Sequence, residues 1–182
     1  MRKSLGYLLL LTLFLTGCRS WRSLPAGPYK NRHHQFSSTF PAGWARLAVG
    51  PYFLATRDGI ALDYIAVSRQ PMGETLKHTK KQFLSGMTTA EIAEVDLDDI
   101  RSREHIGGFE LIQQDPVTVD GHEGYRYTYR YTTKEGLKIR GEHVGFRVKD
   151  AVYRIEYEAA AQHYFSACED TFTVFLKDFK VL

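Results

Sequence analysis

The feature that most constrains the fold is a strict period-two alternation between His122 and Thr133. Tyrosine stands at every second position from Tyr125 to Tyr131, and arginine or threonine stands between. Because successive side chains of a β-strand point to opposite faces of the sheet, this pattern predicts a half-buried antiparallel strand. We expect the tyrosine row to form a sheet face packed under helices; a row that lines a pocket is the alternative.

The residues around this strand predict a meander of four antiparallel strands separated by short turns. The four strands cover residues 109–119, 122–133, 137–148 and 151–159. In the third strand the apolar residues move from odd to even positions, which predicts a β-bulge near Gly141. A helix from about residue 160 to 178 is expected to follow the meander, with Phe179 opening a tail or short strand.

Charged side chains alternate with the apolar residues of this meander. We expect them on one solvated face, where opposite charges pair between neighbouring strands, and a partner-docking face is the alternative. The residues concerned are Arg126, Arg130, Lys138, Arg140, Glu142, Arg154, Glu156 and Glu158.

The first half of the folded part predicts both strands and helices. Strands are expected on either side of Pro41-Ala42-Gly43 and of Asp58-Gly59, a typical hairpin turn. The apolar residues whose spacing predicts a first helix are Leu76, Phe83, Leu84 and Met87. A second helix is expected to begin with a capping box formed by Thr88 and Glu91. The order predicts an α+β fold, in which a twisted antiparallel sheet of about six or seven strands is flanked by helices.

Three aspartates lie close together on the second predicted helix, namely Asp96, Asp98 and Asp99. They invite interpretation as a metal site, but they lack the spaced loop, the glycine and the distant glutamate of a calcium site. We therefore expect a solvated acidic helix face. Among the seven histidines, His143 lies mid-strand beside the expected bulge, where another histidine or an acidic residue could converge. No metal ligands are predicted.

The first residues of the chain combine the features of a lipoprotein signal peptide. A basic start is followed by an uncharged apolar run of about twelve residues, which is too short to span a bilayer as a helix. The run ends in Leu15-Thr16-Gly17-Cys18, which resembles the lipobox of bacterial lipoproteins. That resemblance implies a signal peptide over residues 1–17, cleavage before Cys18 and attachment of lipid to the Cys18 thiol. A plain secretory signal with an incidental cysteine, or a short membrane anchor, is the alternative.

The residues after Cys18 indicate which membrane carries the anchor and how the anchor is joined to the domain. In bacterial lipoproteins, aspartate after the lipidated cysteine retains the protein at the inner membrane. Arg19 stands at that position here, so the resemblance implies the outer membrane, facing the periplasm, if the organism has two membranes. Residues 18–32 are basic and contain two prolines and a glycine, so we expect a lipidated N-terminus and a flexible tether. Contact of this tether with anionic headgroups is the alternative. A single α+β domain is expected over residues 33–182.

Composition limits the classes of partner. The chain is 43% hydrophobic and 25% charged, which is typical of a globular protein. Removal of Arg2 and Lys3 with the signal peptide would leave 22 basic and 21 acidic residues. Because a nearly neutral protein offers no extended positive surface, a nucleic-acid partner is not expected.

The sequence contains none of the common catalytic motifs. It has no Gly-x-Ser-x-Gly, no His-Glu-x-x-His and no glycine-rich phosphate loop, so neither catalytic residues nor a cofactor is predicted. The chain has two cysteines, and acylation of Cys18 would leave Cys168 without a disulfide partner. The helical spacing around Cys168 places it on an apolar face, which predicts a buried, unreactive thiol.

Several loose motifs together resemble the PsbP-like family of α/β/α sandwiches. They are Phe40-Pro41-Ala42-Gly43-Trp44, the Asp120-Gly121-x-x-Gly124 hairpin before the tyrosine strand, the long C-terminal strands and the closing aromatic helix through Phe179. The resemblance covers about residues 36–182. Plant and cyanobacterial members of the family assist photosystem II, other members bind partner proteins, and many bacterial members are lipoproteins. The resemblance therefore implies a non-catalytic, protein-binding module and supplies no catalytic residues.

Three functional hypotheses follow. The first is a membrane-anchored lipoprotein that acts as a non-catalytic accessory or protein-binding module in the cell envelope, with an envelope protein as partner. The second is a periplasmic carrier of a small hydrophobic ligand or metal, which an enlarged pocket with a few convergent polar groups would favour. The third is a hydrolase with an unrecognised active site, which a cleft with several strongly perturbed pKa values would favour.

Overall fold

A computed structural model describes residues 21–182, so the predicted signal peptide, Cys18 and Arg19 lie outside the described residues. The strands are β1 (Trp21–Ser23), β2 (Gly27–Asn31), β3 (Phe36–Phe40), β4 (Ala45–Leu47), β5 (Phe53–Thr56), β6 (Asp63–Pro71), β7 (Ile106–Val119), β8 (His122–Thr133), β9 (Lys138–Val148), β10 (Ala151–Ala160) and β11 (Lys180–Val181). The helices are α1 (Thr89–Arg101) and α2 (Tyr164–Lys177). Within this part of the chain, no helix combines the length and the hydropathy that a membrane crossing requires.

The strands form one large and one small antiparallel sheet. The large sheet has eight strands in the order β1-β4-β5-β6-β10-β9-β8-β7, and the small sheet has the order β11-β3-β2. The predicted meander β7 to β10 is present, and β6 joins its last strand by pairing along β10. The predicted α+β class with an antiparallel sheet and flanking helices is therefore confirmed, with more strands in the sheet than the six or seven expected.

The two helices cover opposite faces of the large sheet. On one face, Phe172 and Phe175 of α2 pack with Phe36 and Phe40 of the small sheet to form an aromatic core. On the other face, α1 and the segment before it bury the tyrosine row of β8. The sheet is therefore the middle layer of an α/β/α arrangement, because each of its faces is apolar over part of its width.

The start of α1 is fixed by the predicted capping box. The Thr88 hydroxyl accepts a hydrogen bond from the Glu91 backbone N–H, and the Glu91 carboxylate accepts one from the Thr88 N–H at 2.7 Å. These two bonds satisfy N–H groups that have no partner within the first turn of a helix. The helix is thirteen residues long and packs against β8 and β9.

The helix predicted from Leu76, Phe83, Leu84 and Met87 is wrong. The segment 72–88 instead folds back on itself, with a single bridge between Thr75 and Gln82 and a turn in which Lys80 adopts a φ of 61°. Leu76 and Phe83 are both buried, but Leu84 is exposed. Two buried residues seven positions apart suit two turns of a helix and also the two arms of a turn, so the spacing could not distinguish them.

A flexible tether was predicted over residues 18–32, but from residue 21 onward this segment is part of the folded domain. β1 pairs with β4, β2 pairs with β3, and Leu24 is buried with its N–H bonded to Trp44 O at 2.8 Å. Tyr29 packs against Phe40 with ring centroids 6.0 Å apart. The proline and basic residues that indicated a linker suit the edge of a small sheet equally well, because an edge strand tolerates both.

The β-bulge predicted near Gly141 is also wrong. β9 keeps a continuous register with β8 and with β10, and the irregularities of the sheet fall in β7 instead. A Cβ at Gly141 would lie 2.5 Å from the Tyr129 ring, and one at Gly145 would lie closer still to Tyr125. The odd positions of β9 therefore stay on the tyrosine face, where two of them are glycine because rings of β8 lie over them.

Candidate functional site

The tyrosine face of the large sheet is covered over only part of its width. α1 packs against β8 and β9, and beside it Leu54 of β5 and Tyr64, Ala66 and Ser68 of β6 line a cleft. This open cleft has a volume of about 620 Å³ and lies between these strands, the segment 72–88 and the end of α1. A smaller cavity of about 340 Å³ adjoins it and shares Ile60, Tyr64 and His105 with it.

The cleft has an apolar floor and a charged wall. Tyr52, Leu54 and Ile60 contribute the apolar surface, and the Ile60 side chain is 53% exposed. The charged and imidazole-bearing residues that line it are Arg69, Lys77, His78, Asp99, Arg103, His105, His143, Arg154 and Glu156. Arg103 and Arg154 pair with the buried carboxyl groups of α1 and β10, and Arg69 pairs with Asp150, so the charges of the wall are largely matched.

The charged residues of β10 do not lie on the solvated face where they were expected. Val148 pairs with Ala151 across a two-residue turn, so the even positions of β10 share a face with the odd positions of β9. Glu156 therefore lies opposite His143, and His143 lies opposite Tyr127. Arg154, Glu156 and Glu158 are consequently on the tyrosine face, and they are largely shielded from solvent.

The other predicted charged positions do lie on the opposite face. Arg126 pairs with Glu142, Arg130 pairs with Glu110, and Arg140 lies 3.9 Å from Glu169 of α2. The side chains of Arg126, Arg130 and Arg140 are partly exposed, as expected, whereas Glu142 is buried, contrary to the prediction of a solvated position. The exposed pair of Arg130 and Glu110 contributes little to stability.

The acidic face predicted for α1 is wrong at two of its three aspartates. Asp96 is fully buried and Asp99 is 2% exposed, whereas Asp98 is half-buried and pairs with Lys81 at 2.5 Å. The Asp99 carboxylate accepts hydrogen bonds from the backbone N–H groups of His78 and Thr79 and thereby ties the segment 72–88 to the helix. The buried aspartates therefore connect α1 to the other parts of the cleft wall, which are the segment 72–88 and β10.

Asp96 is the centre of the first buried group of charges. One of its oxygens lies 2.6 Å from His143 Nε2 and 2.6 Å from the Tyr125 hydroxyl. Its other oxygen lies 2.6 Å from Arg154 Nε, a contact too poorly aligned for a full hydrogen bond, while Arg154 also donates to Asp99 at 3.1 Å. The acidic residue that could converge on His143 is therefore present, and its carboxylate contacts the imidazole at Nε2.

Arg103 is the centre of the second group. Its guanidinium makes a two-pronged contact with Glu156, with one bond of 3.0 Å, and lies 3.5 Å from Glu158. Glu158 in turn contacts the hydroxyls of Tyr129 and Tyr131, each at 2.7 Å. No local pattern in the sequence indicates Arg103, which lies in the turn between α1 and β7 and reaches the sheet from there.

Burial and neighbouring charges perturb the pKa values of these groups in opposite directions. Burial would raise the pKa of Asp96, yet Arg154 and His143 hold it well below its usual range. Burial would lower the pKa of His143, but Asp96 and Glu156 raise it. Burial and the charge of Glu156 raise the pKa of Glu158, whereas Arg103 and His143 hold the pKa of Glu156 well below its usual range despite its burial.

A second acidic group lies beneath α2. The Asp63 carboxylate accepts hydrogen bonds from the Thr56 hydroxyl and from the backbone N–H groups of Arg57 and Asp58, which closes the β5–β6 turn. The Cys168 thiol lies 3.4 Å from Asp63 and is buried. Burial and the Asp63 carboxylate raise the pKa of Cys168 to about 12, as expected for an unreactive thiol.

The cleft can thus offer a ligand an apolar surface beside a rigid charged wall. Perturbed pKa values at a cleft are the feature that would favour a hydrolase. In this wall, however, Asp96, Glu156 and Glu158 already contact arginine, histidine or tyrosine side chains through their carboxylate oxygens. The arrangement is that of a buried ion network, which holds together the sheet, α1 and the turn after α1.

Comparisons with known proteins agree with this architecture. The family model described as PsbP-like protein matches residues 23–181. The solution structure of cyanobacterial PsbP from Synechocystis sp. PCC 6803 has a TM-score of 0.60 to this chain at 13% sequence identity, and covers 92% of this chain and 95% of its own. The Ran-binding protein Mog1p of Saccharomyces cerevisiae has a TM-score of 0.58 at 11% identity, with coverages of 87% and 96%. No curated protein sequence matches the chain. The family match spans nearly all of the described residues, and the chain belongs to the PsbP-like family.

Proposed function

We propose that this chain is a membrane-anchored lipoprotein that acts as a non-catalytic accessory or protein-binding module in the cell envelope. Cys18 would carry the lipid, and the outer membrane facing the periplasm is the favoured location in an organism with two membranes. The lipobox-like residues Leu15 to Cys18 support the anchor. One lipid chain anchors a protein only marginally, so the stable attachment proposed here needs the two or three chains that bacterial lipoproteins carry.

The open cleft is the surface proposed to bind the partner, and it is the observation that carries the function. Exposed apolar residues bounded by charged ones are typical of interaction sites. The exposed side chains of Tyr52 and Ile60 beside a wall of paired charges favour a partner segment that presents an apolar side chain flanked by polar groups. The fold of the Ran-binding protein Mog1p shows by analogy that such a scaffold can serve protein binding.

The volume of the cleft favours a second candidate, a carrier of a small hydrophobic ligand. Small-molecule sites typically have volumes of about 300–1,000 Å³, and the cleft falls within this range at about 620 Å³. Native mass spectrometry of the purified full chain distinguishes the two candidates, because a carrier is expected to retain a ligand of constant mass. A retained ligand without any protein partner would support the carrier.

The membrane anchor is tested by replacing the cysteine that would carry the lipid. Cys18→Ser is expected to abolish incorporation of a fatty-acid probe and to release the protein from membranes. Cys168→Ser is the matched control and is expected to leave incorporation unchanged, because its thiol is buried on the inner face of α2. Probe incorporation that persists in Cys18→Ser would contradict the anchor.

The docking surface is tested in cells with two matched aspartate substitutions in the full-length chain. Ile60 is 53% exposed in the cleft, and Val174 is 47% exposed on α2. Crosslinking followed by affinity purification is expected to recover the same envelope protein with the unmodified chain and with Val174→Asp. Recovery is expected to fall at least tenfold with Ile60→Asp, because a carboxylate would replace apolar contact surface. Equal recovery with both variants would place the interaction elsewhere on the molecule.

A further inference from the structure

Hydrogen bonding around Glu158 requires one more proton than the tyrosines supply. The Tyr64 hydroxyl lies 2.6 Å from Glu156 and 2.7 Å from Glu158, and the hydroxyls of Tyr129 and Tyr131 each lie 2.7 Å from Glu158. These are four short oxygen–oxygen contacts, and the three hydroxyls have one proton each. Because two oxygens at this distance need a proton between them, the fourth proton must belong to a carboxyl group.

Contacts on the two carboxyl groups decide which of them is protonated. Both oxygens of Glu156 accept from the Arg103 guanidinium, and one of them also lies 3.5 Å from His143 Nδ1. Glu158 receives only a 3.5 Å approach from the same guanidinium, and its remaining contacts are neutral hydroxyls. Cationic donors stabilise an ionised carboxylate, so the additional proton belongs on Glu158.

Charge balance in the surrounding cluster gives the same assignment. His143 Nε2 lies 2.6 Å from Asp96, and Nδ1 lies 3.5 Å from Glu156 without full hydrogen-bond geometry; the two nearby carboxylates favour the imidazolium form. Buried charges are costly unless they are matched. The cluster contains three cations, which are Arg103, Arg154 and His143, and four carboxyl groups, which are Asp96, Asp99, Glu156 and Glu158. The cluster is neutral only when one carboxyl group is protonated.

We propose that Glu156 and Glu158 form a proton-binding site in the cleft wall, in which Glu158 is a neutral carboxylic acid at pH 7. Its proton is donated to the Tyr64 oxygen, and the Tyr64 hydroxyl donates to the Glu156 carboxylate. The site fastens Arg103, and with it the turn after α1, to the sheet. The inference is independent of the proposed function, because it holds whether or not a partner binds in the cleft.

The groups that face this pair come from every element packed around it. They are Tyr64 of β6, Tyr129 and Tyr131 of β8, His143 of β9, Arg154 of β10, Asp96 and Asp99 of α1, Arg103 and His105 of the turn after α1, and His78 of the segment 72–88. Loss of the Glu158 proton would leave two adjacent carboxylates beside one guanidinium. We therefore expect the cleft wall to loosen as the pH rises above the pKa of Glu158.

The protonation state can be measured directly in the full chain, purified in detergent micelles and labelled with carbon-13 at the glutamate carboxyl carbon. At pH 7 the Glu158 resonance, assigned through its bonds to the backbone, is expected at the chemical shift of a protonated acid. The Glu156 resonance is expected at that of a carboxylate. A Glu158 resonance at the carboxylate shift at pH 7 would overturn the proposal, and so would a protonated Glu156.

Two isosteric substitutions on the same face of β10 provide an independent test. Glu158→Gln supplies an N–H donor and a carbonyl acceptor and keeps the cluster neutral, so its melting temperature is expected within about 4 °C of the unmodified chain. Glu156→Gln removes the carboxylate that pairs with Arg103, and a melting temperature lower by about 10 °C is expected. An equal loss in both variants, or a larger loss in Glu158→Gln, would contradict a neutral Glu158.

Discussion

Gly141 and Gly145 show how single residues shape the wall of the cleft. Both lie on the tyrosine face of β9, at positions where a ring of β8 occupies the space of a side chain. Without these glycines, Tyr129 could not reach Glu158 across the strand between them, because β9 separates β8 from β10. The glycines therefore connect the tyrosine row to the buried charges.

Gly141→Ala is accordingly expected to destabilise the fold. The added methyl group would meet the Tyr129 ring at 2.5 Å, and overpacking of this kind costs about 1–3 kcal/mol. Urea unfolding measures the change. Gly86→Ala is the control, since a Cβ at Gly86 meets open space and the change is expected to stay within about 0.5 kcal/mol. Similar losses in the two variants would show that the ring moves aside.

At the scale of elements, α1 combines a local interaction at its start with contacts to distant parts of the chain. Its start is fixed by the capping box, and its inner face carries Asp96 and Asp99 to the cleft wall. Thr88→Ala is expected to lower the free energy of unfolding by about 1 kcal/mol, because the Glu91 N–H loses its acceptor. Urea denaturation checks this value, with the adjacent exposed Thr89→Ala as control. An equal effect of both substitutions would argue against the cap.

The elements also show what could be predicted from the sequence. The tyrosine strand and the capping box depend on residues within one short segment, and both are present as predicted. The segment 72–88 and the burial of Glu156 depend on contacts between segments. The parity change across the two-residue turn at Lys149-Asp150 is readable in the sequence, and it would have placed Glu156 beside His143. The position of Arg103 is set by tertiary packing, and no local pattern indicates it.

At the scale of the whole molecule, the buried cluster predicts how stability depends on pH. Asp96 and Glu156 have lowered pKa values, so their contribution is present above their unfolded values near 4 and is lost as the pH falls. Glu158 and His143 have raised pKa values. The folded state therefore holds protons that the unfolded state has lost, and stability falls as the pH rises above about 4.5 for Glu158 and above about 6.5 for His143.

These opposing dependences place the expected maximum of stability in the mildly acidic range. Urea unfolding at a series of pH values measures it. Glu158→Gln is expected to reduce the fall in stability above pH 4.5, because Gln cannot titrate, while the loss of stability in acid remains. A stability that rises steadily from pH 5 to pH 8 would contradict the assigned protonation states.

The open cleft is the surface through which we propose that this PsbP-like protein binds its partner. Site-specific photocrosslinking in cells tests this proposal most directly. A benzophenone side chain at Tyr52 would lie in the cleft, and one at Ile112 would lie on the edge strand β7, which is separated from β5 by four strands. Both positions are exposed. We predict one discrete adduct with an envelope protein from Tyr52 and none from Ile112; the same adduct from Ile112, with none from Tyr52, would contradict the claim.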